Sequence, residues 1–136
     1  MENTIVWADI PVVDLDRAMK FYGAVLQRTF QKVEGMDGIA LEAPPEGAGE
    51  AVEGEPDQYP VSFDLVLTQE MKPSTDGCTV YLNSYGDPEG MLDRAVAAGG
   101  ELIMPVRDMG EMVGFIGMFK DSEGNKIGVH APPKMG

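Results

Sequence analysis

The order of predicted elements is repeated once along the chain, and this repetition constrains the fold more than any other feature. Asp14 and Asp87 lie 73 residues apart, and each precedes a segment with apolar residues at helical spacing. Each predicted helix follows a β-branched, apolar strand and precedes three further strands. The 136 residues therefore divide into two modules of about half the chain, which is the pattern of a degenerate internal duplication.

The predicted elements define an α+β domain over residues 1–136, built of modules at 1–70 and 77–133. The first module has strands at 4–13, 29–33, 39–42 and 61–68 and a helix at 15–27; the second has strands at 79–84, 101–104, 115–120 and 126–130 and a helix from Asp87-Pro88 to Gly99-Gly100. Residues 105–114 are predicted as a loop rich in Gly and Met. Residues 42–57, with six acidic and no basic side chains, are predicted as an acidic loop.

Charge and composition exclude several classes of protein. The formal charge of −13 opposes binding to nucleic acid or to an anionic membrane surface, because such binding needs cationic groups. No apolar run is long enough to span a membrane, and the first residues do not resemble a signal peptide, so a cytoplasmic location is expected. The single cysteine, Cys78, is interpreted as structural. The single histidine, His130, makes a metal site with two or three histidines from one chain impossible.

Three motifs in the expected order resemble the vicinal oxygen chelate superfamily, which includes glyoxalase I, bleomycin resistance proteins, fosfomycin resistance enzymes and extradiol dioxygenases. They are residues 12–18 (VVDLDRA) followed by Phe21-Tyr22, residues 97–100 (AAGG) at the end of the second helix, and the closing residues 121–127 (DSEGNKI). The resemblance covers nearly the whole chain. Residues 7–12 (WADIPV) and 127–130 (IGVH) are similar to an uncharacterised glyoxalase-like branch of that superfamily.

The resemblance implies two βαβββ modules that pair their sheets into a curved, open cup around a ligand pocket, usually in a homodimer. In metal-dependent members, the resemblance places four metal ligands in the cup. The matching positions here hold Trp7, seven residues before Asp14, then Asp64 in the fourth strand, Val80 and Gly128. Only Asp64 has a side chain that can bind a metal, so the usual metal site is expected to be absent, and no cofactor is expected.

Alternation along the strands places Trp7 with Asp9, and Gly128 with His130, on common faces. The candidate pocket therefore comprises Trp7, Asp9, Asp64, Val80, Gly128 and His130. If Asp9, Asp64 and His130 converge, they could bind a relocated metal or act as acid–base groups. They could equally be ordinary polar residues at a rim and a strand end.

Two further features leave alternatives open. Trp7 could stack on an organic ligand or simply fill the vacated cavity. Four methionines could form a lid, a core or a dimer contact: Met104, Met109, Met112 and Met118.

These observations favour a protein that binds a small organic ligand in the cup, without the usual metal and as a homodimer. The acidic balance makes a cationic drug, as in bleomycin resistance proteins, the best-defined ligand. The alternative is a glyoxalase-like lyase or isomerase with a relocated metal or acid–base groups, so enzymatic activity stays open.

Overall fold

The computed structural model describes residues 4–43 and 61–133, and most of the acidic loop at 42–57 lies outside them. The described residues form two βαβββ units, as predicted. Their elements, in chain order, are β1 (Trp7–Pro11), α1 (Leu15–Leu26), β2 (Phe30–Lys32), β3 (Ile39–Glu42), β4 (Ser62–Val66), β5 (Val80–Asn83), α2 (Pro88–Ala97), β6 (Glu101–Asp108), β7 (Phe115–Lys120) and β8 (Lys126–Ala131). The division into modules at residues 70 and 77 stays a prediction.

Each unit builds its own four-stranded mixed sheet with the same topology. Sheet A has the order β1-β4-β3-β2, and sheet B has the order β5-β8-β7-β6. The first and fourth strands of each unit pair in parallel, and the remaining pairs are antiparallel. The α+β class, the βαβββ order and the open sheets are therefore confirmed. No helix in the described part of the chain is long and apolar enough to cross a membrane.

The two predicted helix starts are confirmed by their capping bonds. The side chain of Asp14 accepts a hydrogen bond from the backbone N–H of Arg17 at 3.0 Å, and that of Asp87 accepts one from Gly90 at 3.0 Å. Both bonds satisfy a helix N–H that has no partner within the helix. In α2, Pro88 occupies the first turn, where its missing N–H costs nothing.

Helix α1 packs on sheet A and against α2, and its aromatic side chains join the modules in one core. Tyr22 contacts Phe30 and Phe63 of sheet A, with ring centroids 6.4 Å and 5.5 Å away. The adjacent Phe21 contacts Phe119 of sheet B at 5.8 Å. Because Phe21, Tyr22 and Phe119 are almost completely buried, neither module can lose its partner without exposing large aromatic surface.

A buried carboxylate in the turn between β7 and β8 organises that turn. One oxygen of Asp121 accepts hydrogen bonds from the backbone N–H groups of Glu123, Gly124 and Asn125 at 2.9, 2.9 and 2.8 Å. The other oxygen accepts the hydroxyl of Tyr22, across the module boundary. Burial and the adjacent Asp121 carboxylate raise the pKa of Tyr22 well above its ordinary value, so the phenol remains the proton donor of this pair.

The same turn also holds the junction between β1 and α1. Glu123 accepts hydrogen bonds from the backbone N–H groups of Val13 and Asp14 at 2.9 and 2.7 Å, and it pairs with Arg17 at 2.7 Å. Burial raises the pKa of Glu123, but Arg17 and the two N–H groups outweigh it, so this pKa lies below its ordinary value. Within the same turn, the side-chain amide of Asn125 donates to the carbonyl of Pro11 at 2.7 Å.

One element is longer than predicted. Strand β6 continues to Asp108, whereas residues 105–108 were expected to belong to a loop. The prediction was wrong because β6 is an edge strand with two register shifts against β7, between Leu102 and Met104 and between Met104 and Arg107. A proline is tolerated at such a position, since bulges and edge strands leave some N–H groups outside the ladder.

Removing the Tyr22 hydroxyl tests the bond between the modules. We expect Tyr22→Phe to lower the free energy of unfolding by about 1–2 kcal/mol, because Asp121 then loses a buried donor. Urea denaturation followed by circular dichroism measures this change. The matched control is Tyr81→Phe, since Tyr81 is exposed and its hydroxyl has no hydrogen bond among the described residues. Equal stability of the two variants would show that the Tyr22–Asp121 contact adds nothing.

Candidate functional site

Each sheet has one face against the shared core and one face that does not contact the helices, which we call the open face. On β1, Ala8 and Ile10 face the core, whereas Trp7 and Asp9 lie on the open face of sheet A. On β4, Asp64 lies on the same face, because Asp9 and Asp64 are direct partners in the parallel β1–β4 pair. The structure therefore brings three of the predicted site residues together: Trp7, Asp9 and Asp64.

Asp64 carries the unusual electrostatics of this face. One of its carboxylate oxygens is buried and has no hydrogen-bond partner among the described residues. Burial and the adjacent Asp9 raise the pKa of Asp64 to about 6, although the indole N–H of Trp7 acts in the opposite direction. At neutral pH this pair places negative charge beside an aromatic ring that is 43% exposed. Such a face is suited to a ligand that offers hydrogen-bond donors, positive charge and a flat or apolar part.

The open face of sheet B carries Gly128 and His130, together with Tyr81, which is not among the predicted site residues. Tyr81 is the partner of Gly128 in the parallel β5–β8 pair, and its ring lies directly over that glycine. A Cβ atom at position 128 would stand 2.3 Å from Cδ1 of Tyr81. The alternation of residues 79–84 (TVYLNS) could have predicted this position, because it places Tyr81 and Asn83 on one face of the strand and Val80 on the other.

Val80 itself lies on the other face of sheet B. Its partner on β8 is the buried Ile127, and Val80 packs against the core. Counting seven residues back from the helix cap therefore leads to the open face in the first module but to the core face in the second. The reason is one extra residue between strand and cap: Val12 and Val13 precede Asp14, whereas residues 84–86 precede Asp87. Tyr85 and Gly86 accommodate the extra residue by adopting left-handed backbone conformations, with φ of 53° and 84°.

His130 is not brought to the aspartate pair within one chain. Its Nε2 atom lies 2.6 Å from the carbonyl oxygen of Val113, in the loop between β6 and β7. Nε2 therefore carries the proton and donates to that carbonyl. Among residues 4–43 and 61–133, no group of three or more His, Cys, Asp or Glu side chains is placed to hold a metal ion.

The residues at the four positions that the family resemblance assigns to metal ligands do not fit a metal. Trp7 and Val80 offer no metal-binding atom, and at Gly128 the Tyr81 ring occupies the space that a side chain would need. Asp64 alone could serve as a ligand.

Comparison with known proteins agrees with this two-module fold. A family model described as the Glyoxalase/Bleomycin resistance protein/Dioxygenase superfamily matches residues 4–129. The chain therefore belongs to this superfamily. No curated protein matches the sequence significantly.

Solved structures share the fold at low identity. A glyoxalase/bleomycin resistance protein from Albidiferax ferrireducens T118 is 18% identical with a TM-score of 0.66, over 96% of this chain and 100% of that one. A glyoxalase-related enzyme from Fulvimarina pelagi is 16% identical with a TM-score of 0.64, over 94% and 87%. The fosfomycin resistance protein FosX from Listeria monocytogenes, in complex with Mn(II) and a dihydroxypropylphosphonic acid, is 14% identical with a TM-score of 0.58, over 97% and 92%.

The contact between Tyr81 and Gly128 makes position 128 intolerant of a side chain. We expect Gly128→Ala to lower the free energy of unfolding by about 1–3 kcal/mol, because the new methyl group and the ring cannot both fit. In a Tyr81→Ala background the same substitution should cost much less. Denaturation of the four proteins in this double-mutant cycle measures the coupling. Additive effects would show that the ring does not occupy the space above Gly128 in solution.

Proposed function

We propose that this protein binds a small organic molecule with a basic group on the open face of sheet A, without the usual metal of the superfamily. The observation that carries the proposal is the direct cross-strand pairing of Asp64 with the exposed Asp9, beside the exposed ring of Trp7. Two adjacent carboxylates repel each other, so a cation that binds beside both of them is stabilised by both charges.

A protonated amine or a guanidinium supplies what this face lacks. Its N–H groups can bind the exposed carboxylate of Asp9 beside Asp64, and its charge offsets the repulsion from Asp9 that, after burial, raises the pKa of Asp64. Trp7 offers the adjacent flat surface, on which an aromatic or apolar part of the ligand can stack. The net charge of −13 favours the approach of a cation and disfavours that of an anion.

A second copy of the chain supplies the opposite wall of the pocket in this proposal. Both open faces lack a cover in the described residues of one chain, and their aromatic residues Trp7 and Tyr81 are 43% and 45% exposed. Further large apolar residues, Ile5 and Val6, are exposed just before β1. Such exposed apolar surface marks an interaction site. A homodimer would therefore have twice the chain mass of 14.7 kDa in sedimentation velocity.

One observation favours an enzyme as the second candidate. A carboxyl group with a pKa of about 6 exchanges protons readily near neutral pH, which a general acid or base requires. Asp64 could then transfer a proton to or from an enolisable substrate such as a hemithioacetal. If the protein is an enzyme, it must turn over such a substrate, and the rate must fall by at least about 100-fold in Asp64→Asn. If it only binds a ligand, no turnover is expected.

Trp7 fluorescence tests the binding proposal directly, because Trp7 is the only tryptophan. We expect an aromatic cation such as berberine, or the cationic drug bleomycin, to change this fluorescence saturably. The affinity should rise with pH through about 6 and level off above it, since the cation binds the ionised form of Asp64. Asp64→Asn should remove the pH dependence and weaken binding by about tenfold or more.

The matched control is Asp93→Asn, which removes an exposed carboxylate on α2 and should leave the affinity unchanged. Affinity can come from the general attraction of the net negative charge or from direct contact with the aspartate pair. High ionic strength distinguishes the two, because it screens the general attraction more than the contact with a half-buried group. Binding that is equal in Asp64→Asn and Asp93→Asn would contradict the proposed role of the aspartate pair.

A further inference from the structure

A cavity of about 180 Å³ lies at the junction of the modules, and Asp9 of the open face of sheet A forms part of its border. It is bordered by residues 9–11 of β1 and Val80 of β5, the edge strands of their sheets, and by the linker that joins the modules. Val80 contributes the aliphatic side chain that is partly exposed there, above the buried Ile10 and Ile127. The volume is well above the space that a single water needs, so the cavity can hold a small molecule.

Charged side chains of both signs border this cavity without pairing. Lys72, Lys126, Asp76 and Asp9 all line it, and none of the ion pairs found among the described residues includes any of them. The chain has only ten basic residues, so two lysines at one cavity locally offset its acidity. Unpaired charges of opposite sign beside one cavity are complementary to a ligand that itself carries both signs.

The neutral polar groups around the cavity are already used by the fold. The hydroxyl of Ser74 donates to the carbonyl of Asp76 at 2.8 Å. The side-chain amide of Asn125 donates to Pro11 at 2.7 Å, and its oxygen accepts the Ser74 N–H at 3.3 Å. The charged groups therefore remain available for a ligand, whereas these neutral groups fix the shape of the walls.

We propose that this junction cavity is a binding site for a free α-amino acid. The carboxylate of the ligand would lie toward Lys72 and Lys126, and its ammonium toward Asp76. Its side chain would contact Val80. The site shares Asp9 with the open face of sheet A, but it does not depend on the ligand proposed there.

Cys78 provides a direct readout, because it lines the cavity, is exposed and is the only cysteine of the chain. The rate at which iodoacetamide alkylates Cys78 in the folded protein is measured with each of the twenty common L-amino acids. We expect at least one of them to slow alkylation saturably, by about fivefold or more. Lys126→Met and Asp76→Asn should each raise the concentration needed for protection by about tenfold or more.

Two controls decide where the amino acid binds. Lys20→Met removes an exposed lysine from α1, and Trp7→Phe changes the open face of sheet A; both should leave the protection unchanged. The proposal is overturned if no amino acid protects Cys78 at about 50 mM. It is also overturned if an amino acid protects Cys78 at the same concentration in Lys126→Met and Asp76→Asn as in the unaltered chain. Loss of protection in Trp7→Phe would also overturn it, since the ligand would then occupy the open face.

Discussion

The carboxylate of Asp121 is the interaction on which the arrangement of the two modules depends. It holds its own turn through three backbone N–H groups and reaches Tyr22 of α1 across the module boundary. Glu123, in the same turn, holds the N-terminus of α1 through Val13 and Asp14. The end of one module thus fixes the start of the other, and with it the strand β1 that carries Trp7 and Asp9.

Much of the fold could be predicted because local signals and overall topology agree. The capping aspartates, the apolar spacing of the helices and the alternation of the strands each indicate the same elements that the structure shows. The end of β6 could not be predicted, because residues 105–108 contain Pro105, and their pairing depends on register shifts against β7. Such shifts are set by contacts between strands and leave no local pattern in the sequence.

For the candidate site, the sequence could predict only which residues lie together on one pair of neighbouring strands. Trp7, Asp9 and Asp64 lie together because alternation and the β1–β4 pair determine their faces, and both follow from the sequence pattern. The raised pKa of Asp64 also requires partial burial and the adjacent Asp9, which only the structure provides. The sequence left open whether His130 approaches the aspartates, because this depends on how the modules pack, and in one chain its ring binds Val113.

The extra residue between β5 and α2 has a consequence for how a duplicated fold diverges. The two modules have the same order of elements. The extra residue, accommodated at Tyr85 and Gly86, nevertheless shifts β5 by one position, so that side chains counted from the helix start lie on the opposite face of the strand. Two copies of one ancestral half can thereby acquire chemically different linings without any change in topology. One insertion alters a whole row of contacts at once, which substitutions could achieve only one position at a time.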